Sequence, residues 1–324
     1  MFDIITFGSA TWDIFLRTKN FEVLKDKKFI TGKGICFNLG SKVDIGEIYS
    51  SSGGGGTNTA ATFAKQGLKV AYCGKVGEDL AGQKIIKDLE YLGVDCQFVS
   101  GTKLKTTNLS IVLSLREKDR TILVYRGASE LLGKRDIPWS RLKTKWFYLA
   151  PLSGKLTGLT EKIVDFAKKN KIKIALNPGN SQLCLGNIKN IIKKVDILIL
   201  NQEEASLLTK IPYQKEKDIF KKIVELCPRI IIITKGSKGG MVSGGKYLYR
   251  FKAPQIKVVD RTGGGDAAAS GFISGFIKSK GNIEYAIQLG MTNAVSCLQK
   301  WGAKNGLLEK EDKFKKIKII KNKI

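Results

Sequence analysis

The sequence predicts an α/β protein: a mostly parallel central sheet covered by helices on both faces, with a small β-sheet over one edge. Three observations predict it. Short apolar runs rich in Ile and Val alternate with helical segments along most of the chain, the pattern of strands buried on both faces. Several helical segments close at Gly or Asn, residues that tolerate the left-handed conformation just past a helix end. Two stretches, 15–52 and 96–126, leave this rhythm and alternate apolar with polar residues, as half-exposed ribbons do.

Taken in order, 4–8, 69–73, 146–150, 172–176, 196–200, 230–234 and 256–259 read as strands, and 58–66, 80–92, 160–170, 203–209, 218–227 and 267–278 as helices. The excursions hold alternating runs such as 108–115 and 121–125 joined by polar turns, and an appendage of that kind acts as a lid. After 278 come helical sequence and a tail, 310–324, whose Lys313, Lys315, Lys316, Lys318, Lys321 and Lys323 read as a solvated end. No low-complexity linker divides the 324 residues, so one domain over 1–324 is expected, and 43% hydrophobic residues supply its core.

Composition excludes much chemistry. The chain has no histidine, which removes Ser-His-Asp and Cys-His nucleophile systems, HExxH zinc hydrolysis and imidazole as a general base. Proton transfer falls to Asp, Glu, Lys, Cys or Tyr. The formal net charge is +27, yet only nine of the 56 basic residues are Arg. Lys in such excess suits a solvated surface more than a nucleic-acid groove. Six scattered cysteines without a CxxC pair indicate reduced, idle thiols. The start at Met1-Phe2-Asp3-Ile4-Ile5 has no basic leader, and no apolar run approaches a bilayer span of roughly 18 residues. A cytoplasmic protein without a membrane or nucleic-acid partner is expected.

Four motifs carry the chemistry. In Ser52-Gly53-Gly54-Gly55-Gly56-Thr57-Asn58 the glycines precede a helix of small residues; backbone amides there approach a ligand closely, and Asn58 can hydrogen-bond hydroxyls. In Asp260-Arg261-Thr262-Gly263-Gly264-Gly265-Asp266 three glycines open another helix. The amides of Gly263, Gly264 and Gly265 at the positive end of its dipole make an anion hole. Asp266 at its mouth has two readings: an N-cap, or, in a chain without histidine, the best-placed general base to take a hydroxyl proton in phosphoryl transfer. Asn201-Gln202-Glu203-Glu204 follows a strand and has two readings: a capping box between Asn201 and Glu204, or a carboxylate, Glu204, holding Mg²⁺ on nucleotide phosphates. Thr234-Lys235-Gly236-Ser237-Lys238-Gly239 is a strand end entering a Gly-rich turn, suited to backbone approach by a nucleotide.

Gly263, Gly265 and Ala268, with Glu284 further on, also fit a dinucleotide fingerprint. That turn should follow the first strand of its fold, whereas this one comes after most of the sheet is spent. No GxxxxGK[ST] loop and no HRD or DFG signature occurs.

In this order the motifs resemble the ribokinase-like (phosphofructokinase B type) carbohydrate kinase family, over nearly the whole chain. The similarity begins at Gly8-Ser9-Ala10-Thr11-Trp12-Asp13, continues through Gly53-Gly54-x-x-x-Asn58 and Gly74 to Gly82, and closes at Asp260 to Asp266. The resemblance implies a three-layer α/β/α fold with a small β-sheet lid, and a sugar hydroxyl held by Asp13, Gly53, Gly54 and Asn58. It implies Asp266 as catalytic base, and ATP bound by Asn201, Thr234, Lys235, Gly236 and Gly239. It also implies Mg²⁺ handled through Glu204 and, in members that need one, K⁺ beside Asp260. Asn293 and Trp301-Gly302-Ala303 suit an adenine-side wall. Family members often dimerise through their lids, so a homodimer is implied as well. Arg261 and Gly264 depart from the commoner Thr and Ala, and Ala150-Pro151-Leu152 lacks a carboxylate that ribokinase uses, which counts against ribose itself.

The expected activity is therefore ATP-dependent phosphorylation of a sugar or sugar-like alcohol. A nucleoside kinase of the same fold, with Phe37 and Tyr125 over a base ring, is the alternative; a nucleic-acid-binding protein or a dinucleotide oxidoreductase lies further off.

Overall fold

The Ile- and Val-rich runs carry almost no group that needs water, so both faces can be covered and the runs pair with one another. The computed structural model describes residues 1–18, 20–29, 32–114, 120–227, 229–313 and 316–323. Leu115 of the expected ribbon and Lys315 and Ile324 of the expected tail lie outside the described residues. In chain order the strands are β1 (Phe2–Phe7), β2 (Thr11–Arg17), β3 (Glu22–Lys25), β4 (Lys33–Cys36), β5 (Glu47–Gly53), β6 (Val70–Gly77), β7 (Asp95–Thr102) and β8 (Asn108–Ser114). They continue as β9 (Arg120–Tyr125), β10 (Thr144–Leu149), β11 (Lys173–Leu176), β12 (Ile197–Asn201), β13 (Ile230–Thr234), β14 (Gly240–Gly244), β15 (Tyr247–Phe251) and β16 (Ile319–Lys323). The α-helices are α1 (Gly55–Lys65), α2 (Leu80–Tyr91), α3 (Thr160–Lys169), α4 (Asn180–Leu183), α5 (Ile188–Ile192), α6 (Gln202–Thr209), α7 (Glu216–Leu226), α8 (Gly264–Lys278) and α9 (Ile283–Leu298).

The large sheet has the order β16-β15-β14-β13-β12-β11-β10-β1-β6-β7. It is parallel from β7 to β13 and antiparallel from β13 to β16. Successive residues of its strands serve opposite cores. Ile5, Phe147, Leu149 and Leu198 pack with Ile163 of α3, Ile191 of α5, Ala205 of α6 and Ile219 of α7. Ile4, Tyr72, Tyr148 and Ile199 pack with Ala60 of α1, Ile85 of α2, Ala269 of α8 and Ala286 of α9. That is the three-layer α/β/α arrangement expected. A second sheet, β5-β2-β8-β9, is small, and β3–β4 form a separate ribbon. Among the described residues no helix is long and apolar enough to cross a membrane, and all six cysteines are free.

Four expectations are corrected. The small sheet starts at Thr11 and ends its first visit at Gly53, wider than 15–52; the second excursion begins later than 96, because Asp95–Thr102 pairs with β6 in the large sheet. The run 256–259 is no strand: Ile256 and Val258 line a cavity instead of meeting a neighbouring strand, and apolar alternation alone does not distinguish those fates. The tail is not simply solvated, since Ile319–Lys323 pairs antiparallel with β15; a lysine-bearing edge strand keeps its charges in water while its backbone is paired. The hairpin β14–β15, turning at Gly245 with φ 61°, went unmarked among strands and helices.

Candidate active site

Parallel strands end on one edge, where the chain leaves β1, β10 and β13 into loops and β12 directly into α6, the usual place for a ligand in such a sheet. The first glycine turn docks on the loop after β1. Gly54 has φ 99°, a conformation open to glycine, and a Cβ there would lie 2.5 Å from Ser9 O. Gly56 N donates to Ser9 O at 3.2 Å and Gly55 N to Ser9 Oγ at 3.3 Å. Asp13, on β2, pairs in register with Ser51 of β5 and Ser110 of β8. Its carboxylate rests on the Gly53 backbone, where a Cβ would overlap Oδ2. Burial lifts the Asp13 carboxyl to about 6; Lys304 and a hydrogen bond from Ser110 restrain the rise, while Asp260 and Asp266 add to it.

The second glycine turn opens α8. Gly263 caps it with φ 76°, and the first helical bond runs from Ala267 N to Gly263 O at 2.8 Å. The amides of Gly264 and Gly265 precede that ladder and remain for a ligand. Asp266 stands in the first turn, and Asn58 Nδ2 donates to its Oδ2 at 2.8 Å, joining turns 208 residues apart in sequence. Burial raises the Asp266 carboxyl, against the Asn58 hydrogen bond and the charge of Lys304. Asn58 Oδ1 is buried and takes no hydrogen bond among the described residues, which leaves an acceptor open at this point of the site. Gly55, Ala150 and Pro151 close on Asp266 from the side: a Cβ on Gly55 would lie 3.2 Å from Ala150 Cβ and 3.7 Å from Asp266 Oδ1.

Beside the start of α8 lies a cavity of about 510 Å³, which Gly264 and Gly265 join to the helix. Thr234, Lys235, Gly236 and Gly239 line one part, and Met291 and Leu298 of α9 another. The Lys235 ammonium is tied to Glu216 of α7.

A sequence profile described as "pfkB family carbohydrate kinase" matches residues 30–310. The chain belongs to this family. It is 29% identical over 252 residues to an uncharacterized sugar kinase of Archaeoglobus fulgidus, covering 76% of this chain and 97% of that one. It is 27% identical over 268 residues to a cytidine kinase of Thermococcus kodakarensis, covering 79% and 91%. In fold it matches a structure of Arabidopsis thaliana ribokinase complexed with ribose and ATP, with TM-score 0.77, 21% identity and 96% of each chain covered. This pfkB-family kinase is a carbohydrate-kinase phosphotransferase, of the sugar and nucleoside kinases.

The kinase uses Asn201 and Glu204 as a capping box: Glu204 N donates to Asn201 Oδ1 and Asn201 N to Glu204 Oε2, each at 2.8 Å. Burial raises the Glu204 carboxyl, the Asn201 amide opposes that, and Glu203 and Asp266 add to it. Glu204 thus caps α6 while its charge meets that of Asp266. Among the described residues no group of three or more His, Cys, Asp or Glu could hold a metal. The lone oxygen donor fits a Mg²⁺ bound mostly through phosphate and water.

Asp260 does not line the cavity, and three hydrogen bonds hold its carboxylate in place. Its Oδ1 accepts Thr262 N at 2.9 Å and Thr262 Oγ1 at 2.8 Å, and its Oδ2 accepts Gly302 N at 3.0 Å. Asn293 does not line the cavity either: its side chain donates to Ala267 O at 2.9 Å and accepts from Leu308 N at 2.9 Å, a strut between α8, α9 and the chain beyond. Trp301 lies against Phe15 and Tyr49 with the Arg17 guanidinium over its ring, on the small-sheet side instead of an adenine wall. Sequence reasoning missed Lys304, whose only mark is its place after Trp301-Gly302-Ala303, and Thr57, which lay inside the first motif.

Proposed function

We propose that the kinase transfers the γ-phosphoryl group of ATP to a hydroxyl of a sugar or sugar-like alcohol, with Asp266 as general base. The observation that carries this reading is the Asn58–Asp266 hydrogen bond, which sets a carboxylate between the first glycine turn and the helix start beside a cavity of about 510 Å³. The acceptor hydroxyl lies among Asp13, the Gly53–Gly54 backbone and Asn58 and gives its proton to Asp266. Its oxygen bonds to the γ-phosphorus as the bond to the β-phosphate bridging oxygen breaks, and ADP leaves. The amides of Gly264 and Gly265 stabilise the charge on the transferring group. Glu204 would hold Mg²⁺ alongside phosphate and water oxygens, and the ion would neutralise phosphate charge. Closure of the small sheet as a lid keeps water from taking the acceptor's place.

The test is ADP release over a panel of sugars, sugar phosphates and nucleosides, each with and without potassium. A sugar or sugar phosphate should raise release well above the acceptor-free rate. Silence across the panel would overturn the reading. Stimulation by nucleosides alone would favour the second reading, a nucleoside kinase, which the similarity to a cytidine kinase supports.

Glu204→Gln separates the cap from the metal role. A glutamine Oε1 still accepts Asn201 N, so the melting temperature should hold, while KM for magnesium nucleotide rises about tenfold, the effect of removing one charge-assisted oxygen ligand. Unchanged magnesium dependence would leave Glu204 with the cap alone.

A further inference from the structure

Lys304 is the buried cation of this site, only 7% exposed, and the proposed function does not use it. All three ammonium protons have partners. Nζ donates to Ser52 O at 2.7 Å, Ser52 Oγ at 3.2 Å and Thr57 Oγ1 at 3.0 Å. Thr57 passes the contact on by donating to Gly53 O at 2.7 Å, so one chain of hydrogen bonds runs from the ammonium into the backbone on which Asp13 rests. The two residues before Lys304 hold the other glycine turn. Gly302 N donates to Asp260 Oδ2 at 3.0 Å, and Ala303 packs so closely on Gly263 that a Cβ there would overlap it. Three consecutive residues thus clamp turns that begin at Ser52 and at Asp260.

We propose that Lys304 is a positioning residue of the acceptor site: it holds the Ser52–Asn58 turn in register with the Asp266 helix and supplies the positive charge under which Asp13 and Asp266 meet the acceptor as carboxylates. This rests on the acceptor site assigned above. The charges in play come from every element packed there: Asp13 on β2, Asp260 before α8, Asp266 on α8 and Asp88 on α2, with Ser110 of β8 bonded to Asp13. Burial lowers the Lys304 ammonium to about 8, and Asp13, Asp88 and Asp266 oppose that fall. The ammonium is charged at neutral pH and discharges as pH rises through that value. Burial lifts the Asp13 carboxyl to about 6 with Lys304 restraining it, so Asp13 protonates as pH falls through 6. Acceptor use should follow a bell between these limits.

The experiment measures kcat and KM for the best acceptor of the panel, from pH 5 to 9.5, in the whole chain and in Lys304→Met and Lys304→Gln, together with nucleotide Kd and melting temperature. In Lys304→Met the alkaline limb should vanish, the acidic limb should move up by about half a pH unit or more, and acceptor KM should rise about tenfold while nucleotide Kd changes less than about threefold. Lys304→Gln keeps amide donors for Ser52 and Thr57 but no charge, so it should recover part of the KM and none of the limb; it also carries the test if the methionine variant does not fold. Profiles that coincide with the parent's, or a nucleotide Kd that rises in step with acceptor KM, would overturn the inference alone. A parent chain that phosphorylates nothing in the panel overturns the acceptor site and this inference with it.

Discussion

Asp266→Asn should lower kcat about 10²- to 10⁴-fold, the usual contribution of a positioned general base, and leave nucleotide Kd nearly unchanged. Asparagine has the carboxylate's shape, and its Oδ1 can still accept from Asn58 Nδ2, the bond that joins the two glycine turns at 2.8 Å. What is lost is the ability to accept the acceptor's proton. Stability should not fall. The folded-state carboxyl is raised above 3.8 by burial, so its contribution to stability is present at low pH and lost as pH rises through the folded value. At neutral pH the buried charge is a cost that asparagine removes, and the melting temperature should hold or rise. Turnover within tenfold of the parent, at equal nucleotide Kd, would remove Asp266 as the base.

This site was partly legible because close approach leaves a mark in sequence. Gly53 to Gly56 and Gly263 to Gly265 are runs that a linker or a simple helix cap does not need, and Asp266 beside such a run, in a chain without histidine, is the residue to propose as base. Likewise 230–234 could be read as a strand because Ile230–Thr234 is apolar on both faces, and its residues enter both cores. Other features carry no such mark. Lys304 is one lysine among many, and its burial exists only once α9 turns back toward β5. Asn293 has the same amide whether it meets a nucleotide or spans α8 and the Leu308 backbone. Residues 256–259 and 319–323 show the matching difficulty for the fold. Apolar alternation became a cavity wall in the first, and a lysine-rich end became a paired strand in the second, because strand partners are chosen in three dimensions.

Gly263→Ala should damage both stability and catalysis, and Gly265→Ala should separate the two. At Gly263 the backbone has φ 76°, and a Cβ would lie 2.8 Å from Ala303 Cα as well as overlapping its methyl. The left-handed conformation and the crowding together cost about 2–4 kcal/mol. The relief available is to move the start of α8 away from the 302–304 turn, which re-aims the amides of Gly264 and Gly265. A kcat loss of about 10²- to 10³-fold follows if those amides hold the transferring phosphoryl group. Gly265 differs physically: a Cβ there meets nothing within 4 Å, and alanine is the better helix former by about 1 kcal/mol. Gly265→Ala should therefore melt at or above the parent's temperature, yet weaken nucleotide binding, since its methyl stands at the wall of the 510 Å³ cavity. Melting curves with nucleotide titrations for both variants decide the matter. A Gly263→Ala protein that matches the parent in stability and kcat would show that this helix start is not the anion hole, and a Gly265→Ala protein with parental nucleotide Kd would move the phosphates elsewhere.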